Sequence, residues 1–208
     1  MSNDSKDAAA TWDERAASWD DQAEAHVYAS QAFETLEPVV RQHLGAFDEL
    51  RVLDFGAGTG LLTAKLAPLC RDVVAVDIAP KMIEMLAAKS AREGWSNVAV
   101  HTGELEQLVG SGEVQGAFDL VVASSVCSFL PDFTSSLSLL RSLLRPGGLF
   151  VQWDWHGATA GDWAKGFTRE QVAAAYETAE LAPLSIGLGF IFHFDGNELE
   201  VLMGVGRR

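Results

Sequence analysis

The chain has 208 residues, of which 48% are hydrophobic, 9% aromatic and 21% charged, the composition of an ordinary globular protein. Fifteen Lys and Arg face 29 Asp and Glu, a formal net charge of −14, and a surface that negative repels phosphate backbones, so nucleic acid is not an expected partner. No apolar run reaches the roughly 18 residues of a membrane-spanning helix, and the acidic N-terminus has no apolar stretch of the signal-peptide kind.

Cys70 and Cys127 make neither a disulfide framework nor a metal cluster. A soluble, cytoplasmic protein without a metal site is the expectation. Residues 1–50 hold 11 acidic and 3 basic residues, which reads as a solvated acidic face, with attraction of a cationic substrate as the alternative.

Trp12, Ala16, Trp19 and Ala23 recur at helical spacing, and a second helical stretch follows around Ala32 to His43. RVLDF (51–55) is a short strand, GAGTG (56–60) a glycine turn, and Leu61 to Leu69 a helix stopped near Pro68. VVAVD (73–77) is a second strand. Pro80 and Gly94 bracket a helix with Met82, Met85 and Leu86 on one side.

NVAVH (97–101) and FDLVVAS (118–124) are the next strands. Phe133, Leu137, Leu140 and Leu144 form one stripe of a helix that Pro146 and Gly147 end, and GLFVQWDW (148–155) is a fifth strand. Thr168 and Gln171 form a capping box ahead of Val172, Ala175, Tyr176 and Ala179. IGLGFIFHF and ELEVLMGVG, joined at Asp195-Gly196-Asn197, read as an antiparallel hairpin. Strands alternating with helices predict an α/β protein with a Rossmann-like doubly wound sheet, parallel apart from its end, and helices on both faces.

VLDFGAGTG (52–60) follows a strand and opens a helix. Gly56, Gly58 and Gly60 let the backbone approach a ligand closely, and Asp77 at the end of the next strand suits the two hydroxyls of a ribose. A nucleoside ligand at the carboxyl ends of the strands follows. The dinucleotide fingerprint would place a third glycine at 61, where this chain has Leu61. Asp54, inside the strand, is awkward against a pyrophosphate but suits a cationic group such as an amino-acid ammonium.

From about residue 12 to 206 the chain resembles the class I S-adenosylmethionine-dependent methyltransferases, small-molecule branch. VLDFGAGTG is similar to the family's first motif and Asp77 to its ribose-binding acid. Gly103-Glu104 resembles the adenine-covering segment, and FDLVVASSVCSFLPD the fourth motif, in which Ser124 and Ser125 line the transfer site. LLRPGGLF (143–150) resembles the turn into strand five. The resemblance implies seven strands with an antiparallel last one, S-adenosyl-L-methionine as cofactor and S-adenosyl-L-homocysteine as product. It implies cofactor contacts from Asp54, Gly56, Ala57, Gly58, Gly60, Asp77, Ile78, Met82, Gly103, Glu104, Leu105 and Ser124. A small molecule is then the methyl acceptor.

Methyl transfer from a sulfonium is one in-line displacement, so a missing Ser/His/Asp constellation does not argue against an enzyme. Ser124 to Cys127 depart from the amino-methylating nucleic-acid branch, and Ser124 stands where the metal-dependent branch has an acid. The candidate chemistry lies in WDWH (153–156): His156 as general base, Trp153 or Trp155 as a stacking wall. A buried strand end with a solvated histidine is the plain alternative. A nicotinamide oxidoreductase and a non-catalytic cofactor-binding module are the competing functions. Residues 1–208 read as one domain, with a helical lid over 1–45 carrying Trp12, Trp19, His26 and Tyr28, simple helix packing being the alternative for that segment, and a core over 46–208. The acceptor and the oligomeric state are left open.

Overall fold

The computed structural model describes residues 3–110, 116–157 and 166–208. Two helices open the chain, α1 (Asn3–Trp19) and α2 (Ala23–His43). On α2, Tyr28, Ala32, Leu36 and Val40 recur every four residues, so one stripe is buried while the rest stays wet. Strands and helices then alternate: β1 (Arg51–Phe55), α3 (Thr63–Leu66), β2 (Asp72–Asp77), α4 (Pro80–Glu93), β3 (Val98–Thr102), α5 (Leu105–Gly110) and β4 (Phe118–Ser124). A 3-10 turn (Cys127–Phe129) leads to α6 (Phe133–Leu143), β5 (Leu144–His156), β6 (Gly166–Phe167), α7 (Arg169–Thr178), β7 (Ala182–Phe194) and β8 (Asn197–Arg207).

The sheet runs β3-β2-β1-β4-β5-β8-β7, with β6 paired to β5 off that path. The pairs among β1 to β6 are parallel, while β8 runs antiparallel to both β5 and β7. The strand order reverses at β1 and β4, the place where open α/β sheets bind ligands beyond their carboxyl ends. The path holds the seven strands the sequence predicts, and β6 adds an eighth. Two residues carry no readable period, so β6 forms only because the chain returns alongside Trp155 and His156.

Three further boundaries differ from the sequence reading. The helix after the glycine turn is one turn long, Thr63–Leu66. Leu144 is not the last member of the α6 stripe but the first residue of β5, where it pairs with Phe118 and is still fully buried. The terminal hairpin begins at Ala182, four residues earlier than its apolar run suggests. The capping box at Thr168 and Gln171 is formed, with Thr168 Oγ1 accepting from the Gln171 amide at 3.2 Å.

Period-2 alternation divides the core into two layers. Leu149, Val151, Trp153 and Trp155 of β5 face α2, with Phe190 and Phe192 of β7. Phe150 faces α6 and α7, beside Leu137, Leu140 and Tyr176. The lid expected over residues 1–45 therefore divides in two. Helix α2 is part of the core, with Ala32, Leu36 and Val40 wholly buried. Only α1 lies outside it, resting through Ala16, Trp12 and Trp19 on Ala79, Met82 and Met85.

Candidate active site

The glycine turn is held to the end of β2 at several points. The Gly56 and Ala57 amides donate to the Val76 carbonyl at 2.8 and 3.0 Å. The Asp77 carboxylate accepts from Gly58 N at 2.8 Å through one oxygen and from Ala79 N at 2.9 Å through the other. The two segments that would embrace a nucleoside are thus fixed to each other, and each Asp77 oxygen keeps a further acceptor direction. Burial raises Asp77 above the usual carboxylate range, and the amides of Ala79, Gly58 and Ile78 oppose that rise.

Gly58 and Gly60 both lie at positive φ, +55° and +84°, but for different reasons. A Cβ on Gly60 would stand 2.1 Å from Leu86 Cδ1 of α4, so this glycine lets helix and turn close on each other. A Cβ on Gly58 would meet nothing within 4 Å. Its missing side chain therefore leaves the backbone open to a ligand rather than to the protein. Gly60→Ala is expected to cost roughly 2–4 kcal/mol of stability, from backbone strain plus overpacking. Gly58→Ala should cost only about 1–2 kcal/mol of strain yet lose most cofactor affinity. Urea unfolding beside a calorimetric titration of S-adenosylhomocysteine separates the two; equal stability losses would remove the distinction.

Asp54 lies beneath this turn, 1% exposed, and accepts from Thr63 Oγ1 at 2.6 Å. Burial raises it to about 6, the Thr63 bond opposes this, and the nearby Asp77 charge adds to it. A buried carboxyl with a half-buried one close enough to raise it gains from a cation placed over them. That fits a ligand carrying an ammonium or sulfonium group.

The remaining expected cofactor residues gather at the same strand ends. Gly103 donates its amide to the Asp77 carbonyl at 3.0 Å, and the Glu104 amide donates to Gln107 Oε1 at 3.3 Å. Ile78 is half-buried beside Asp77. Ser124 ends β4 and is registered with Trp153. Met82 and Leu105 are buried, Met82 under α1 and Leu105 in the core beside Phe55 and Val76. The Leu105 side chain is thus core packing.

Helix α1 covers this end of the sheet. Asp13 Oδ1 accepts from Lys81 N at 2.8 Å, at the start of α4. At the turn between α1 and α2, Asp20 accepts from Thr59 Oγ1 of the glycine turn at 2.5 Å and pairs with Lys89 at 2.8 Å. Burial alone would raise the Asp20 carboxyl, but Lys89 and Thr59 overcome it and hold the group below its usual range. Trp12 reaches across to Phe129, edge to face at 5.4 Å between ring centroids. Asp20 and Lys89 carry no motif in the sequence, because their partnership spans 69 positions.

The acceptor side, beyond β4 and β5, differs most from the sequence reading. Trp153 is no stacking wall: it is fully buried in the α2 layer and donates Nε1 to Thr35 Oγ1 at 2.9 Å. Trp155 meets Tyr28 at 5.4 Å and Phe192 at 5.6 Å in an aromatic cluster with Phe190. His156 sits on the rim with its Nδ1 2.5 Å from Glu200 Oε2 of β8. Asp154, two residues earlier and on the same face of β5, is wholly buried, accepting from Ser128 N at 3.0 Å and Gln152 Nε2 at 2.9 Å. Burial pushes it up to about 7 despite those bonds. A carboxylate inside an apolar strand was the available signal, as it was for Asp54. Among the described residues no group of three His, Cys, Asp or Glu is placed to hold a metal ion, and no helix is long and apolar enough to cross a membrane.

A sheet in this order, with a glycine turn after β1 and an acid ending β2, defines the class I S-adenosylmethionine-dependent methyltransferase fold. A methyltransferase-domain family model matches residues 53–150. The chain is 34% identical over 116 residues to the ubiquinone biosynthesis O-methyltransferase of Xanthomonas euvesicatoria, covering 54% of this chain and 47% of that one. Over 105 residues it is 36% identical to the enzyme of the same name from Cereibacter sphaeroides, covering 50% and 41%. The chain thus spans about half the length of the curated relatives it matches. The structure of the Burkholderia thailandensis 1,6-didemethyltoxoflavin-N1-methyltransferase, with that compound and S-adenosylhomocysteine bound, superimposes with a TM-score of 0.73 at 21% identity. That likeness covers 100% of this chain and 91% of the other. An S-adenosylmethionine-dependent methyltransferase from Aquifex aeolicus gives a TM-score of 0.66 at 17% identity over 82% and 88%.

Proposed function

We propose that the protein is an S-adenosylmethionine-dependent methyltransferase acting on a small-molecule acceptor. The observation that carries this is the joint of Asp77 with Gly58: a raised carboxylate with acceptor capacity left, next to a backbone position that opens onto space. Asp77 would take the ribose hydroxyls, the turn from Gly56 to Gly60 would lie along the amino-acid portion, and Asp54 would face its positive charge. Gly103, Glu104 and the Leu105 backbone would border the base, beside Ile78 and Met82. The bound cofactor supplies an activated methyl group and its own leaving group.

What the chain must add is alignment and the exclusion of water. Helix α1, latched through Asp13 and Asp20, is the proposed cover. His156, braced by Glu200, is the candidate for the group that takes a proton from the acceptor. No metal enters this reading.

Calorimetric titration with S-adenosylhomocysteine is the test, with reduced nicotinamide dinucleotide as the control that should not bind. Asp77→Ala is expected to weaken binding by about ten- to a hundredfold, the loss of charge-assisted bonds worth on the order of 1.5–3 kcal/mol. Unchanged affinity in that variant would take Asp77 out of the site. Binding should also tighten as pH rises from 5 to 7, because Asp54 must ionise to meet a cation. Release of S-adenosylhomocysteine from metabolite pools would then identify the acceptor.

A further inference from the structure

Asp20 stands where three parts of the molecule meet. It lies at the turn between α1 and α2, and its two carboxylate oxygens go to two different places. Oδ1 accepts from Thr59 Oγ1 in the glycine turn at 2.5 Å, and Oδ2 pairs with Lys89 Nζ of α4 at 2.8 Å. Both partners are nearly hidden from water, Thr59 at 1% and Lys89 at 9% exposure. Swinging Asp20 away would deprive a buried hydroxyl and a buried ammonium of this acceptor, so the contact resists opening far more than a surface ion pair does. The backbone of the same turn is braced from α2, where His26 Nε2 donates to the Asp20 carbonyl at 2.8 Å.

The rest of α1 is held differently. Asp13 accepts from the Lys81 amide in an exposed position, and Trp12, Ala16 and Trp19 rest on Ala79, Met82 and Met85. Those contacts fall on the segment that follows Asp77, whereas Asp20 reaches the glycine turn itself. Thr59 sits between two fixed points of that turn. The Gly58 amide donates to Asp77, and Gly60 admits Leu86 of α4 where a side chain would clash. A shift of the turn therefore moves Thr59 and, with it, the end of α1.

We propose that Asp20 is a positioning residue of the site, a pin that makes the glycine turn and helix α1 move as one unit, so that cofactor settling on the turn closes α1 over it. The inference rests on the methyltransferase reading above. Thr59 transmits the state of the turn, and Lys89 keeps Asp20 charged and in place. Asp20 takes no proton and touches no reacting atom; it acts through Thr59. Such coupling is reciprocal: the factor by which cofactor favours closure is the factor by which closure tightens cofactor binding.

The test measures hydrogen exchange of residues 12–19 with and without S-adenosylhomocysteine, and the calorimetric affinity for it, in wild type, Thr59→Val, Thr59→Ser and Asp20→Ala. Thr59→Val puts a methyl group in place of the hydroxyl and leaves the Asp20–Lys89 pair, so α1 should keep its wild-type protection without ligand. Its gain in protection on ligand binding should vanish, and affinity should fall about five- to tenfold. Thr59→Ser retains a hydroxyl and should restore the gain. Asp20→Ala should weaken binding by a similar factor, and the double variant should be no weaker than the weaker single to within about twofold, because both cut one link. A merely structural Thr59 would lower protection alike with and without ligand and leave the gain intact. The proposal is overturned if wild-type α1 gains no protection while the ligand binds, if Thr59→Val keeps the gain, if Thr59→Ser loses it, or if the two substitutions add in full on affinity. Should Asp20→Ala fail to fold with Lys89 unpaired, the two Thr59 variants decide the matter. Failure of wild type to bind S-adenosylhomocysteine is a separate result and overturns the methyltransferase reading instead.

Discussion

Asp154→Asn is expected to stabilise the protein by about 2–4 kcal/mol above pH 7 and by nothing below about pH 4. The Asp154 carboxyl is raised from 3.8 to about 7 in the folded chain, by burial in the first place. Below pH 4 the group is protonated in both states and contributes no difference. As pH rises from 4 to 7 the unfolded chain ionises freely while the folded chain resists, so stability is lost through that window. An amide has no proton to lose and escapes the loss. It also fits the site: with Gln152 turned over, the new amide would donate to Gln152 Oε1, which has no partner in the wild type, and would still accept from Ser128 N. Asp54 is raised in the same direction but is common to both proteins, so it cancels in their difference. Urea unfolding of both at pH 4, 6 and 8 measures the effect. A gain that does not grow with pH would show that Asp154 is not held protonated by burial. A residue kept at such cost in stability is what a functional site predicts.

Removing residues 1–19 is expected to lower methyl transfer at least about a hundredfold while weakening S-adenosylhomocysteine binding no more than about tenfold. The proposed cofactor anchors, Asp77 and the glycine turn, lie at the ends of β2 and β1 and stay behind. What leaves is the proposed cover: Trp12 against Phe129, Asp13 on Lys81 N, and Ala16 over Met82. Stability should fall modestly, since α2 with Tyr28, Leu36 and Val40 is kept. Extending the deletion through residue 30 would remove Tyr28 from the core and confuse the two effects. Hydrogen exchange supplies the companion measurement. Residues 12–19 should gain protection when S-adenosylhomocysteine binds, and residues 32–40 should not change. Equal protection in α1 with and without ligand would make that helix static packing.

Local chemistry made much of this molecule readable from its letters. The VLDFGAGTG turn, Asp77 at the next strand end, Pro80 and Gly94 around α4, and the capping box at Thr168 each act within a few residues, where propensity and backbone geometry decide. Near-continuous apolar runs in β1, β2, β4 and β5 marked strands buried on both faces, and hence a parallel sheet. The split between α1 and α2 was not readable, because both carry apolar residues at helical spacing and only the sheet's extent decides which stripe it covers. Nor could the four letters WDWH say which side chain carries chemistry. Packing buried Trp153 against Thr35 and paired His156 with Glu200, partners 118 and 44 positions away. It also left Asp154 dry beside the unpartnered Gln152 Oε1. A carboxyl's proton affinity is set by what surrounds it in space, and for Asp154 that surrounding comes from the 3-10 turn, β5 and α7 together. The sequence by itself determined the sheet and the glycine turn with its acid; the tertiary structure alone decided what surrounds Trp153, Asp154 and His156, because those partners come from distant parts of the chain.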